Sequence, residues 1–191
     1  MIKKLIKFLI YLIILIIIDL PLFLIYKIIF LSGRRTFTTI SECLSLIPGY
    51  LGYFIRKGFY KLALKTGSNI EIRFGTILNH PTIKIEDDVY IGHNCSLGTV
   101  TIKQGTKIGS NVDILSGKSQ HKIKQGKIQP TNIKNLKRIT IGHDTWIGNS
   151  SVIMNDIGNN CIIGAGAVVT KPIPDNSVAV GNPARIIRKN A

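Results

Sequence analysis

From about Ile70 onward an aliphatic residue returns every six positions, usually followed by glycine or an acidic residue. The units read IEDDVY (85–90), IGHNCS (91–96), a short LGTVT (97–101), IKQGTK (102–107) and IGSNVD (108–113). After an interruption come IGHDTW (141–146), IGNSSV (147–152), a short IMND, IGNNCI (157–162) and IGAGAV (163–168). One such unit means little, but this many in near-continuous phase predict a β-helix of hexapeptide repeats. Three short strands then make one triangular coil of roughly eighteen residues. The first residue of each unit points inward and stacks on its equivalents. The fifth faces inward too and must be small; it holds Val89, Cys95, Val112, Thr145, Ser151, Cys161 and Ala167. Glycine or a small polar residue lets the chain turn each corner.

The N-terminus follows another pattern. Phe8 to Leu31 is apolar apart from Asp19, Pro21 and Lys27. As a helix this run would reach about 36 Å, enough to cross a bilayer. It is too long for a signal peptide, and no small-x-small cleavage site follows it. Lys3, Lys4 and Lys7 precede it and Arg34 and Arg35 follow, so both flanks favour the cytoplasm. Pro21 interrupts helix hydrogen bonding near the middle. Two readings stand: a membrane-inserted helix, or a re-entrant hairpin of two short helices. Leu44–Gly67, broken at Pro48 and Gly49, mixes Tyr, Phe and Leu with Arg56, Lys57, Lys61 and Lys65. It reads as a basic amphipathic helix lying on a membrane surface, capping the next domain, or both. The expected organisation is a membrane segment (1–35), an amphipathic helical connector (36–67), the β-helix (68–185) with a loop insertion (115–138), and a tail (186–191).

Charge fits this picture. Among 191 residues, 25 Lys and Arg against 10 Asp and Glu give a net charge of +15. That suits an anionic membrane or phosphate-bearing ligands. No aromatic-basic recognition motif points to nucleic acid. Cys43, Cys95 and Cys161 are far apart and form no CxxC pair, which argues against a disulfide framework or a zinc site. Cys95 and Cys161 fall on inward positions and read as small core residues. With no HExxH spacing either, no metal is expected.

The run IGAGAVVTKPIPDNSVAVGNPARIIRK, with TWIG at 145–148 and an SG…QH loop, resembles the hexapeptide-repeat acyltransferases. The likeness covers roughly residues 68–188 and is strongest to the galactoside, maltose and xenobiotic O-acetyltransferases. It extends to the membrane-associated acetyltransferases of surface-polysaccharide clusters, which the apolar N-terminus fits better. The resemblance implies a left-handed parallel β-helix, a homotrimer, and acetyl-CoA bound in a groove between subunits. It places Ala165 and Gly166 beside the pantetheine arm, Thr170 and Lys171 at CoA contacts, Arg188 near the nucleotide end, and Trp146 and Asn149 along the cofactor tunnel.

A sugar hydroxyl is a poor nucleophile, so its attack on a thioester needs a general base, and histidine suits that task near neutral pH. His143 and His80 read as turn residues. His93 lies in a coil that would border the acceptor pocket and is kept as a substrate-binding candidate. His121 alone lies in the insertion, where the family carries its catalytic histidine, and is the expected base. Relatives often show two histidines here; this chain has Ser119 at the first position and His121 at the second. The lysines around His121 read as a solvated basic loop or as an attractor of phosphates.

The sequence therefore points to an acetyl-CoA-dependent O-acetyltransferase. Its acceptor is expected to be a sugar of a surface polysaccharide or of its lipid-linked precursor, at the inner membrane with the catalytic domain facing the cytoplasm. A γ-type carbonic anhydrase needs a histidine pair that this chain lacks. A non-catalytic, membrane-tethered β-helix scaffold is the alternative.

Overall fold

The computed structural model describes residues 2–30, 34–117, 123–124, 127–128 and 136–189. Four α-helices come first: α1 (Ile2–Ile14), α2 (Leu20–Phe30), α3 (Arg34–Ser45) and α4 (Gly49–Ala63). A π-turn (Leu15–Asp19) joins α1 to α2, closed by the Leu20 N–H donating to Leu15 O. Both ends of this turn keep helical dihedrals. Residues 2–30 thus form one continuous helix, not two helices folded back. Pro21 sits just after the π-turn, where the wider hydrogen-bond pattern accommodates a residue without an N–H.

Short strands follow in coils. The first coil holds β1 (Lys65–Thr66), β2 (Glu71–Ile72) and β3 (Ile77–Leu78); the second holds β4 (Lys84–Ile85), β5 (Tyr90–Ile91) and β6 (Ser96–Leu97). The third holds β7 (Val100–Ile102), β8 (Lys107–Ile108) and β9 (Asp113–Ile114). Within the insertion, β10 (Ile123–Lys124) and β11 (Lys127–Ile128) pair antiparallel. The fourth coil resumes with β12 (Ile139–Ile141), β13 (Trp146–Ile147) and β14 (Val152–Ile153); the fifth has β15 (Ile162–Ile163) and β16 (Val168–Val169). Each strand pairs in parallel with its equivalent one coil away, which builds three faces. The first face runs β1-β4-β7-β12, extended by bridges from Ile141 to Ile157 and from Ile157 to Ile173. The second runs from β2 through β5, β8, β13 and β15 to β17 (Ser177–Val180), and the third through β3, β6, β9, β14 and β16. The expected parallel β-helix is therefore the observed fold. The chain also adds a strand that the six-residue period does not foresee: β18 (Arg185–Lys189) folds back antiparallel on β17.

The prism interior is filled as the period requires. First-position Ile85, Ile91, Ile102, Ile108, Ile141, Ile147 and Ile163 are buried. So are all seven fifth-position residues. The polar ones find partners: Thr145 Oγ1 donates to Gly158 O (2.9 Å), and Ser151 Oγ donates to Gly148 O (2.8 Å). Corners, however, are made two residues later than the glycines suggest. Left-handed backbone falls on fourth positions: Asp88, Asn94, Gly105, Asn111, Asp144, Ser150, Asn160 and Gly166. All but Ser150 are Gly, Asn or Asp, the residue types that tolerate positive φ best. The second-position glycines answer a different need. A Cβ on Gly148 would meet the Ala165 backbone nitrogen at 2.5 Å, so the next coil leaves no room for one.

Helix α4 closes the first coil. Its Ile55, Phe59 and Tyr60 are buried with Phe37 of α3 and Tyr26 of α2. Arg56 is 2% exposed and donates to Ile72 O, Leu44 O and Ile47 O at 2.8–3.1 Å, so it ties cap to prism. The N-terminal helix lies along α4, with Tyr11 against Phe54 and Asp19 against Gly58. Its other side exposes Phe8, Leu12, Ile16, Ile17, Leu20 and Leu24.

Candidate active site

Two corner columns flank the third face, and most of the site residues expected from the sequence lie on them. The column between second and third faces carries, coil by coil, His93, Ser110, Asn149 and Ala165. Polar contacts run along it: the His93 N–H donates to Ser110 Oγ (3.1 Å), the Ser110 N–H to Asn149 Oδ1 (2.9 Å), and the Gly166 N–H to Asn149 O (2.8 Å). Asn149 thus has a structural duty, since its amide oxygen caps the preceding coil. The same device recurs at Asp175, which accepts the Asn159 N–H (2.8 Å). That bond holds the Asp175 carboxyl below the usual carboxylate range.

Ala165 and Gly166 are exposed, and nothing lies within 4 Å of the place a Gly166 Cβ would take. Beside them the third face presents half-buried Val152 and Val168, paired in register. The opposite edge of that face carries Thr170, whose carbonyl accepts from Asn155 Nδ2 (3.2 Å), and exposed Lys171. The two groups of expected CoA contacts therefore lie on opposite edges of one apolar strip. These residues fit an extended ligand with an apolar arm. Trp146 and Arg188 stand apart, on the second face. Trp146 is 56% exposed and in register with Ile162, which pairs with Val178, which pairs with Arg188. At about 4.8 Å per strand, Arg188 is roughly 14 Å from Trp146 along that row.

His121 lies outside the described residues, as do Lys118, Ser119, Lys122 and Lys134. The base of its loop is described. A Cβ on Gly117 would come within 2.8 Å of Lys137 Cβ, so the insertion leaves and re-enters the prism at one point. That point is on the same corner column as Thr170. Lys137 Nζ reaches Asn155 Oδ1 (3.1 Å) and Asp156 Oδ2 (2.9 Å), and Asn155 in turn reaches Thr170. Arg138 is likewise occupied, donating to Val100 O (3.1 Å) and Thr82 Oγ1 (2.8 Å). Two of the loop's basic residues are thus structural ties.

The remaining histidines are turn residues. His143 Nδ1 lies 2.9 Å from Asp144 Oδ2, and His80 Nδ1 lies 2.8 Å from Thr82 Oγ1. Burial raises the pKa of both the Cys95 and Cys161 thiols, which makes them core residues rather than nucleophiles. No group of three His, Cys, Asp or Glu side chains is placed to hold a metal among the described residues.

Stacked three-sided coils built from six-residue units, interrupted by an insertion, define this protein as a parallel hexapeptide β-solenoid. Comparison with known proteins agrees. Residues 138–171 match the bacterial transferase hexapeptide (six repeats) model, and residues 82–117 match the hexapeptide repeat of succinyl-transferase. The galactoside O-acetyltransferase of Escherichia coli K12 is 34% identical over 68% of this chain and 56% of its own length. That of Lactococcus lactis is 31% identical over 71% and 59%. A galactoside acetyltransferase solved in complex with coenzyme A superimposes with a TM-score of 0.65 at 25% identity, covering 84% of each chain. The chain belongs to the hexapeptide-repeat acetyltransferase family. It spans somewhat over half the length of these curated relatives.

Proposed function

We propose that this protein is an acetyl-CoA-dependent O-acetyltransferase, with a sugar of a surface polysaccharide or its lipid-linked precursor as acceptor. The observation that carries the reading is the match to galactoside O-acetyltransferases, joined to a fold shared with a coenzyme A complex. The donor supplies an acetyl thioester when bound. Val152, Val168, Ala165 and Gly166 line its arm, and Thr170 and Lys171 hold the far edge. Trp146 and Asn149 border the tunnel, and Arg188 pairs with a phosphate. Three copies of the chain close the groove, so each site takes one wall from a neighbour.

His121 is the general base. It takes the acceptor hydroxyl proton while the oxygen attacks the thioester carbonyl. It then returns that proton to the departing thiolate as the carbon–sulfur bond breaks. The loop is well placed for this, because its base touches Asn155 and through it Thr170. The N-terminal helix fixes the enzyme to the cytoplasmic face of the inner membrane. It holds one stretch, Lys4–Lys27, long and apolar enough to cross a bilayer.

The test is CoA release from acetyl-CoA with sugar acceptors. His121→Ala is expected to lower kcat by about 10²–10⁴-fold, the range of a lost general base. Turnover unchanged in that variant removes His121 as base. No acetyl transfer to any acceptor leaves the scaffold reading in its place.

A further inference from the structure

Away from the third face, a cavity of about 900 Å³ opens between the start of the N-terminal helix, α4 and the first two coils. Its lining is cationic and aromatic: Lys4, Lys7, Lys57 and Arg73 with Tyr11, Tyr50 and Tyr53. Arg56 also borders it, but its guanidinium is committed to three backbone carbonyls. Lys7 and Lys57 are held at the wall by rings. Lys7 Nζ sits 5.5 Å from the Tyr50 ring centre, and Lys57 Nζ sits 5.6 Å from Tyr11 and 5.8 Å from Tyr53. A cation resting on a ring keeps its charge and can still meet an anion. Arg73 contacts Glu71 at 2.7 Å, the one acidic residue of the lining, and its Nε is buried without a hydrogen-bond partner. A buried donor left without a partner is costly, and an incoming oxygen would satisfy it.

Two neighbours narrow the choice of ligand. The cavity opens beside the exposed apolar side of the N-terminal helix, where Leu5, Phe8, Leu9 and Leu12 face outward. A ligand seated there meets cations at one end and hydrocarbon-seeking surface at the other. The opposite rim carries His93, which lies on the corner column that leads to Asn149 and Ala165. At about 4.8 Å per coil, the donor edge lies only some 10–15 Å from that rim.

We infer that this cavity is a binding site for the phosphate or diphosphate head of a membrane lipid, whose hydrocarbon chain runs along the apolar side of the N-terminal helix. It deepens, and rests on, the lipid-linked form of the acceptor proposed above, since a sugar attached to such a head would extend past His93 toward the acetyl donor. The cavity adjoins the helix that the proposed function places in the membrane, and cations near an anionic surface act strongly there.

The full-length protein in zwitterionic detergent micelles tests this by direct titration with three probes. Geranylgeranyl diphosphate is expected to bind at least about tenfold more tightly than geranylgeraniol, which lacks the charged head. Inorganic diphosphate, which lacks the chain, is expected to bind weakly and to compete poorly. The double variant Lys4→Gln, Lys7→Gln should lose about tenfold or more in affinity for the lipid diphosphate and little for the alcohol. Both lysines are exposed, so the fold should survive. Lys57→Gln provides an independent check from α4, and Lys65→Gln with Lys84→Gln, on the first face, should change nothing. Equal affinity for diphosphate and alcohol overturns the inference, as does unchanged binding in both cavity variants. Inorganic diphosphate binding as tightly as the lipid points to a soluble phosphate ligand and overturns it too. Acetyl transfer to a soluble sugar keeps the two readings apart. Transfer without lipid-diphosphate binding removes only the lipid site, and binding without transfer removes only the transferase.

Discussion

Tyr60 sits at 0% exposure inside the helical cap, and its hydroxyl meets Ser41 Oγ at 2.7 Å. Burial pushes its pKa up to about 12, since a phenolate cannot be solvated there. The folded state therefore holds that proton where an unfolded tyrosine, with a pKa near 10, has lost it. The contribution is intact below about pH 10 and is lost as pH rises towards 12, at a cost of about 3 kcal/mol. Thermal melts between pH 9 and 12 should show Tyr60→Phe with a shallower alkaline decline than wild type. Equal slopes would mean that Tyr60 ionises freely. The cysteines separate by the same physics. Iodoacetamide at pH 8 should label exposed Cys43 readily in the folded protein and leave Cys95 and Cys161 untouched, as mass spectrometry of peptides would show. The inward place of those two was legible in the sequence, because a fixed period assigns a direction to every position. Asn149 was less legible. Its side-chain partner, Ser110, precedes it by a whole insertion, and only the stacking of coils brings them together.

At the scale of elements, the N-terminal helix shows what hydropathy alone leaves open. The apolar run and Pro21 suit a hairpin as well as a helix. What decides is the π-turn, a hydrogen-bond pattern with no composition of its own. Contact with α4 also sets its geometry. At Gly58 the helix comes so near that an added Cβ would overlap the Asp19 carboxylate. Gly58→Leu must therefore push the two helices apart, at about 1–3 kcal/mol for overpacking. A lower melting temperature in detergent, beside Leu51→Ala at an exposed position of the same helix, is the expected result. Unchanged stability would show that the helix does not rest on α4. The fourth-position corners were hidden for another reason. Asn, Asp, Ser and Gly share them without a common chemistry, and their only bond is tolerance of left-handed backbone.

The whole molecule joins a prism of stacked coils to an insertion that leaves and re-enters it beside Gly117 and Lys137. Strand β12 pairs with β7 in unbroken register, Ile139 against Val100 and Ile141 against Ile102, as though nothing lay between. The prism's stability should therefore be insensitive to the insertion. Replacing residues 118–135 with a short Gly-Ser linker is expected to shift the unfolding free energy by no more than about 1 kcal/mol, because closure entropy changes slowly with length. Acetyl transfer should be abolished at the same time. A collapse of the melting temperature would show that the insertion is part of the core. A chain built this way can vary its insertion without redrawing its frame: whatever is spliced between Gly117 and Lys137, the next coil still lands on the last.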